Sequence, residues 1–206
     1  MRSAILDGWS GVAGDMWVGA AIAAGAPLSA LADAVRSLAL PGVRITAEPV
    51  LRAGLAGTHF RVLEDELPAD APPLSAFSPL PATAAPGRAV LLPAAGGDHV
   101  HRGLAEIEAI VDRADLPEPV RADCRAVYRA IAEVEAEAHG TTIEQVHFHE
   151  VGAVDTIVDV VCACLATHLL GIERLVANGI AVGSGTVRAA HGVLPVPAPA
   201  TAALLR

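Results

Sequence analysis

The sequence predicts an α/β protein, in which a mixed sheet is flanked by helices and interrupted by a flexible Pro/Ala-rich insert. Short apolar runs that suit buried strands alternate with longer segments of helical period. Hydrophobic residues make up 53% of the 206 residues and charged residues 18%, which excludes global disorder. Aromatic residues amount to only 3%. The core must therefore consist mainly of Ala, Val, Leu and Ile.

The N-terminal third has the pattern of a strand, two helices and a pair of strands. Gly25 is the expected end of the first helix, and Leu31 and Val35 lie on the apolar face of the second. Residues 52–54 supply the turn between the paired strands. The predicted elements are a buried strand at 3–6, helices at 16–24 and 27–38, and strands at 43–51 and 58–63.

The segment from about 68 to 97 differs in composition from its surroundings. Prolines recur there among alanines and small polar residues, without helical or strand period. Such composition is typical of linkers. We expect a flexible insert within a single domain that covers residues 1–206.

Helices dominate after the insert. Asp115 is the predicted N-cap of the longest helix, with Pro117 in its first turn and Gly140 at its end. Its apolar stripe is predicted to contain Val120, Cys124, Val127, Ile131, Val134 and Ala138. The other predicted elements are helices at 102–113 and 153–169, an extended segment at 146–150, strands at 175–182 and 186–189, and a last helix from Pro199.

Charge and composition exclude several classes of function. The formal net charge is -9, whereas non-specific binders of nucleic acid or anionic membranes are normally basic. All 14 basic residues are arginine, which excludes a P-loop lysine, a Schiff-base lysine and a Ser-Lys dyad. The three cysteines, Cys124, Cys162 and Cys164, do not indicate a disulfide framework, and the apolar neighbours of Cys162 and Cys164 predict that these two pack in the core.

No targeting signal is visible near the N-terminus, because Asp7 precedes any long apolar run. The longest apolar stretch, 160–166, is far shorter than a membrane span. We therefore expect a cytoplasmic protein.

The densest group of chemically useful residues lies between 147 and 159. In an extended segment His147 and His149 point to the same side and could hold nickel, zinc or cobalt. Asp155 and Asp159 share one face of the following helix, where two buried carboxylates require a nearby cation. The alternative is a pair of core histidines, with Asp155 acting as a helix cap.

Other histidines are weaker candidates for a metal site. His99 and His101 lie at the edge of the insert, where they could load a metal or simply be solvated. His191 lies in a rigid proline-rich turn.

Two glycine-rich turns are candidate anion sites. The first runs from Asp7 to Asp15 between a strand and a helix, and its backbone N–H groups could cradle a phosphate or its cation. A tight turn with a capping Asp15 explains the pattern equally well. Its candidate binding residues are Asp7, Ser10, Gly11, Gly14 and Asp15, and those of the second turn are Gly183, Ser184 and Gly185.

Five motifs in order resemble the LarC family of nickel-insertion proteins. They are the turn from Asp7 to Met16, the stretch from His101 to Ile107, the block from His147 to Asp159, the segment 182–185, and the stretch from His191 to Thr201. The likeness is weakest from 47 to 97.

The resemblance implies a cytoplasmic cyclometallase of the lyase class. The family inserts nickel into pyridinium-3,5-bisthiocarboxylic acid mononucleotide, forming one carbon–nickel and two sulfur–nickel bonds, with CTP and Mn²⁺ or Mg²⁺. The product serves lactate racemase-type enzymes. In this family context Glu150, Asp155 or Asp159 is expected to take the ring proton, with Glu150 alternatively a nickel ligand. The histidine ligands of nickel are expected among His147, His149, His101, His99 and His191.

The resemblance also implies partners. The family carries a C-terminal domain associated with CTP binding and oligomer assembly, so this chain is expected to be the N-terminal portion and incomplete without that domain. The complete protein is expected to be a homo-oligomer that hands its product to a lactate racemase-type apoenzyme. Two other functions remain open: a metal-dependent hydrolase that uses the histidine and aspartate cluster, and a non-catalytic nickel carrier.

Overall fold

The computed structural model describes residues 1–64, 102–148, 151–189 and 192–206. Helices and strands are mixed along the chain, so the predicted α/β class is confirmed. The predicted insert at 68–97 lies outside the described residues. The described elements are β1 (Arg2–Gly8), α1 (Gly14–Ala23), α2 (Leu28–Ser37), β2 (Val43–Arg52), β3 (Leu55–Glu64), β4 (Arg102–Gly103), α3 (Leu104–Arg113), α4 (Glu118–His139), a 3₁₀ turn (Ile143–Gln145), β5 (His147–Phe148), α5 (Val154–Leu169), β6 (Ile172–Ile180), β7 (Thr186–Ala189), β8 (Gly192–Pro195) and α6 (Pro199–Leu204).

The described strands pair in four small sheets of two strands each. β1 and β6 are parallel, whereas β2–β3, β4–β5 and β7–β8 are antiparallel. Parallel and antiparallel pairing are therefore both present, as a mixed sheet requires, but in separate sheets within the described part of the chain.

The β2–β3 hairpin confirms the predicted turn at 52–54. Val43 lies opposite Glu64, and Arg52 lies opposite Leu55. The two residues between the strands have positive φ, 49° at Ala53 and 83° at Gly54. That combination is typical of a type I′ turn, whose twist matches the twist of the strands.

The strand predicted to be buried at 3–6 is present as β1, but the prediction of burial is wrong. Ile5 is 67% exposed, and the buried residue of the strand is Gly8. The reason is that the core helices gather around α5, whereas β1 pairs along one edge with β6.

α5 is the centre of the core. It packs against α1, α2 and α4, which explains its almost entirely apolar sequence and confirms the predicted buried helix. Cys162 is buried in this core, as predicted, whereas Cys164 is only partly buried and packs against it. Cys124, from the predicted stripe of α4, is buried as well. The buried residues of α5 are Ile157, Val158, Val161, Cys162, Leu165 and Ala166.

α4 buries a different row of side chains from the predicted stripe. The prediction is correct at Val120 and Cys124, but Val127 is 38% exposed. The buried row follows a strict spacing of four residues, because neighbouring helices pack along such ridges. Its members are Val120, Cys124, Tyr128, Ala132 and Ala136.

The predicted cap of α4 is also wrong. The helix begins at Glu118, its N-cap is Pro117, and it has no side-chain cap. Pro117 disfavours helical backbone at the residue before it, so the helix cannot begin next to Asp115. Asp115 instead donates its backbone N–H to the Ser37 Oγ at 3.0 Å. The predicted end at Gly140 is confirmed by its φ of 63°.

None of the helices in the described ranges is both long enough and apolar enough to span a membrane.

The contact between α1 and β3 requires glycine at position 19. A Cβ there would lie 2.5 Å from the Thr58 carbonyl oxygen, which is held by the hairpin. We expect Gly19→Ala to lower the free energy of unfolding by about 1–3 kcal/mol. The control is Gly57→Ala, whose Cβ would meet nothing within 4 Å. Equal urea-unfolding midpoints for the two variants would show that this contact is not tight.

Candidate functional site

The two parallel strands end side by side, and both predicted glycine turns follow them directly. Gly8 at the end of β1 lies opposite Ile180 at the end of β6. The Ala181 N–H donates to the Gly8 carbonyl at 2.8 Å, which continues the pairing beyond β6. Ligands of α/β proteins characteristically bind beyond the carboxyl ends of parallel strands. The structure therefore brings the two turns to one edge of the molecule.

The first turn leads from β1 into α1. The Gly11 N–H donates to the Gly8 carbonyl at 3.0 Å, and Gly11 has a φ of 90°. A Cβ at Gly11 would lie 3.6 Å from the Ala181 carbonyl oxygen. Ser10 is exposed. The turn thus lies against the backbone that leads into the second glycine loop.

The second turn joins β6 to β7. Gly183 and Gly185 have φ values of 75° and 98°, on either side of Ser184. The Gly185 carbonyl accepts the Val196 N–H at 3.0 Å, which fixes the loop to the end of the β7–β8 hairpin. Left-handed backbone at two of three residues is the kind of geometry that can expose successive N–H groups to an anion.

Asp159 joins α5 to the start of α1. A Cβ added at Gly14 would lie 2.6 Å from the Asp159 Oδ2 and 2.8 Å from the Asp159 Cβ. Only glycine therefore allows the two helices to approach this closely. The Asp15 backbone N–H acts on the Asp159 carboxylate and lowers the pKa of this carboxyl. A helix start leaves its first N–H groups unpaired, and α1 has no side-chain bond from its own N-cap, Ala13.

The environment of Asp159 raises the pKa of its carboxyl from 3.8 to about 7. Burial is the largest cause, followed by the negative charges of Asp15 and Asp155, and the hydrogen bond from the Asp15 N–H opposes them. The Asp159 Oδ1 is buried and has no hydrogen-bond partner among the residues that the structure describes. A carboxyl of this kind can hold or release a proton near neutral pH.

The other predicted acidic residues have partners nearby. The Asp15 Oδ1 accepts the Met16 N–H at 2.8 Å, and the Asp7 Oδ1 accepts the side-chain amide of Asn178. Asp155 is exposed, and its Oδ1 accepts the Thr156 N–H at 2.7 Å. The N-cap of α5 is Ala153, so the alternative in which Asp155 caps the helix is wrong.

Tyr128 is a candidate site residue that the sequence analysis did not identify. Its side chain is 1% exposed, and its hydroxyl has no hydrogen-bond partner within the described ranges. Burial and the charges of Cys124, Asp155 and Asp159 raise the pKa of this phenol, while Arg102 acts in the opposite direction. The hydroxyl therefore lies in the field of the acidic pair. The available signal was that Tyr128 is the chain's only tyrosine and follows Cys124 by one helical turn.

The histidine block is tied to the same region through Phe148. β5 pairs with β4, so that Arg102 lies opposite Phe148. The Phe148 ring packs against Tyr128 with centroids 6.0 Å apart. The Arg102 Nη1 donates to the Gly152 carbonyl at 2.7 Å, which ties β4 to the approach to α5.

The predicted metal ligands are only partly located. His147 is exposed in β5, and the predicted extended segment is confirmed at 147–148. The other predicted ligands, His99, His101, His149 and His191, lie outside the described residues, as does Glu150. The described residues bring together no set of three or more His, Cys, Asp and Glu side chains that could hold a metal ion.

The raised pKa of Asp159 makes stability depend on pH. Because the folded-state pKa lies above 3.8, the protonated carboxyl stabilises the fold below about pH 4, and that contribution is lost as pH rises through about 7. Between pH 4 and 8 we expect the free energy of unfolding of the wild type to fall by about 1–2 kcal/mol relative to that of Asp159→Asn, after allowance for solvent screening of this partly exposed group. Urea unfolding at several pH values measures this difference, and Asp33→Asn, at an exposed position, is the control. Parallel pH profiles for wild type and Asp159→Asn would contradict the assignment.

Comparison with known proteins identifies the family. A family model described as nickel insertion protein matches residues 4–206. A protein of Desulfitobacterium hafniense strain DCB-2, named pyridinium-3,5-bisthiocarboxylic acid mononucleotide nickel insertion protein, is 40% identical over 100% of this chain and 43% of its own length. A relative from Thermomicrobium roseum is 41% identical over the same shares of the two chains. No solved structure matches the chain.

The chain thus spans less than half the length of these curated relatives. The family match, in contrast, covers nearly all of the chain. It includes both glycine turns, the histidine block and the acidic pair of α5. These are the segments whose motifs resemble the family. On this evidence the chain belongs to the nickel insertion protein family.

Proposed function

We propose that this chain is the part of a nickel-insertion enzyme that handles nickel and takes the ring proton of pyridinium-3,5-bisthiocarboxylic acid mononucleotide. The observation that carries the proposal is the Asp159 carboxyl, whose pKa is raised to about 7 and whose Oδ1 has no partner in the described structure. Membership of the family and the name of the D. hafniense relative support the reaction class.

The chemistry requires a base. The ring carbon between the two thiocarboxylate groups loses a proton when it forms a bond to nickel, while the two sulfurs bind the same metal. A base works best when its pKa lies near the working pH, because it is then ionised and still basic. Asp159 meets this requirement. Asp155 is more exposed, and Glu150 lies outside the described residues, so they are the second choices as proton acceptors.

We assign a supporting role to Tyr128. Its raised pKa keeps the phenol protonated at neutral pH, so its O–H is available as a hydrogen-bond donor there. Donation to the Asp159 carboxylate would orient this base. Arg102 is 13% exposed and contributes a fixed positive charge on the same side.

The substrate phosphate needs N–H donors or arginines, because the chain contains no lysine. The glycine loop at 183–185 is our candidate for this phosphate. The first turn is less available, since the negative Asp159 carboxylate lies against Gly14 at the start of α1. Asp7, Ser10, Gly11 and Gly14 then shape the entrance to the site.

Nickel is the cargo of this reaction. We propose that His147 and His149 receive it, with His99, His101 or His191 as further ligands. A Mn²⁺ or Mg²⁺ site does not fit the described residues, which hold no suitable cluster of three, so no step is derived through that cation or through CTP. Four further features remain predictions of the resemblance: dependence on CTP, association with a C-terminal half, assembly as a homo-oligomer and delivery to a lactate racemase-type apoenzyme. The cytoplasmic location remains a prediction from the sequence.

The test of the proposal separates proton transfer from metal binding. The chain is incubated with the mononucleotide, Ni²⁺, CTP and Mn²⁺, with and without the C-terminal part of the D. hafniense relative, and the nickel product is measured by mass spectrometry. We expect Asp159→Asn to lower the insertion rate about 10²–10⁴-fold and to leave nickel affinity by calorimetry unchanged. His147→Ala/His149→Ala should weaken nickel binding instead. The control is Asp33→Asn, on the exposed face of α2. Wild-type rates in Asp159→Asn would overturn the proposal.

Two hydroxyl deletions test the role of Tyr128. Tyr128→Phe and Thr46→Val each remove a buried hydroxyl that has no partner within the described residues. Both should raise the free energy of unfolding, by up to about 1 kcal/mol, because an unsatisfied buried group is removed. Only Tyr128→Phe should lower the insertion rate. A variant with raised stability and an unchanged rate would show that the Tyr128 hydroxyl has no part in the reaction.

The two other functions make different predictions in the same assay. A metal-dependent hydrolase would release phosphate or cleave an amide without CTP and without forming a nickel product. A nickel carrier would bind nickel tightly and leave every added nucleotide unchanged, even when the C-terminal part is present.

A further inference from the structure

An exposed tryptophan occupies the turn between β1 and α1. Trp9 follows Gly8 directly, and the Gly11 N–H closes the turn by donating to the Gly8 carbonyl at 3.0 Å. Trp9 is 79% exposed, although tryptophan is highly buried in most proteins. In the described part of the chain its indole makes no hydrogen bond and no ring contact. The ring is therefore accessible to a ligand.

Neither folding nor the turn requires tryptophan at this position. A turn of this kind accepts most residues at its second position, and a side chain this exposed contributes little apolar burial. The backbone is nevertheless fixed, because the Gly8 carbonyl also accepts the Ala181 N–H at 2.8 Å, and a Cβ at Gly8 would lie 3.2 Å from the Ile180 side chain. The turn thus presents an aromatic surface from a fixed backbone.

The turn that carries Trp9 touches both parts of the candidate site. At one end a Cβ on Gly11 would lie 3.6 Å from the carbonyl oxygen of Ala181, which leads into the proposed phosphate loop. At the other end a Cβ on Gly14 would overlap the carboxylate of the proposed base, Asp159. The exposed indole therefore belongs to the segment that joins the phosphate site to the base.

Trp9 is accompanied by other exposed apolar residues. Val12 is exposed in the same turn, Met16 in the first turn of α1, and Val182 just before the second glycine loop. Single exposed apolar residues are common, but an apolar group beside candidate binding loops is typical of a ligand site. The group suits a ligand with a flat, apolar portion beside its phosphate.

We propose that Trp9 stacks on the pyridinium ring of the mononucleotide. This inference rests on the proposed function, because it takes its ligand from the reaction proposed there. A cationic, electron-poor ring is attracted to the face of an aromatic side chain, and tryptophan attracts cations more strongly than tyrosine or phenylalanine. The loop at 183–185 then binds the phosphate, while the indole holds the ring beside the turn.

Stacking leaves the reacting edge of the ring accessible. The carbon–nickel bond lies in the plane of the ring, because the metallated carbon is part of the aromatic system. The proton that Asp159 takes leaves from the same edge. Trp9 contacts a face of the ring and so competes with neither the base nor nickel. It is a binding residue, and its loss should raise KM more than it lowers kcat.

Tryptophan fluorescence tests this contact, because the chain contains only two tryptophans, Trp9 and Trp17. A stacked pyridinium ring quenches indole emission. The mononucleotide is added without nickel to the Trp17→Phe chain, in which Trp9 is the only indole, and to the Trp9→Leu chain as the matched control. We expect saturable quenching in Trp17→Phe and none that saturates in Trp9→Leu. If Trp17→Phe shows no saturable quenching, with or without the C-terminal part of the D. hafniense relative, the proposal is wrong.

Variants at position 9 separate stacking from apolar contact. Trp9→Phe keeps an aromatic face, whereas Trp9→Leu keeps only apolar surface. By calorimetry we expect the Kd of the mononucleotide to rise about 5–100-fold in Trp9→Leu and less in Trp9→Phe. The urea-unfolding midpoint should stay at the wild-type value, because the side chain is exposed. Equal Kd values for Trp9→Leu and wild type would contradict the proposal, and a lowered midpoint would assign Trp9 a packing role instead.

The same variants distinguish failure of this inference from failure of the proposed function. If the wild type forms the nickel product and Trp9→Leu does so with the wild-type KM, the stacking is wrong and the reaction stands. If the wild type forms no nickel product but binds the mononucleotide with quenching that depends on Trp9, the stacking is supported and the reaction is wrong.

Discussion

The contact between the Asp159 carboxyl and the start of α1 is the constraint on which the site depends. A helix start presents unpaired N–H groups and a partial positive charge, and both attract a carboxylate. Asp159 supplies the carboxylate from a neighbouring helix, and Gly14 allows the approach because any Cβ there would overlap the Asp159 side chain. The same contact sets the course of the chain from β1 into α1, and so the position of the first glycine turn relative to the loop after β6.

The surroundings of this contact also explain why the Asp159 carboxyl can exchange a proton near neutral pH. The hydrogen bond from the Asp15 N–H favours the anion, but burial and the charges of Asp15 and Asp155 disfavour it more strongly. Nearby, the Tyr128 hydroxyl is buried without a partner in the described residues. Unpaired buried groups usually destabilise a protein.

The sequence predicted the positions of helices and strands better than it predicted which side chains are buried. The hairpin, the buried helix α5 and the end of α4 at Gly140 follow from local turn chemistry and apolar composition, and these predictions are confirmed. The burial of Ile5 and Val127 was predicted wrongly, because burial depends on which neighbours cover a face. Asp155 and Asp159 could be recognised as a pair, because their spacing places both on one face of a helix. The contacts of Asp159 with Gly14 and of Phe148 with Tyr128 could not be predicted, since they join segments far apart in the chain.

The most direct test of the account is a measurement of the pKa of the Asp159 carboxyl itself. Carbon-detected NMR of the aspartate side chains across pH 3 to 9, assigned with Asp159→Asn, gives this value without substrate or metal. The account predicts a titration midpoint at about 7. A midpoint near the ordinary value of 3.8 would mean that the carboxyl is fully ionised at neutral pH and too weak a base to take the ring proton, and the central claim would be wrong.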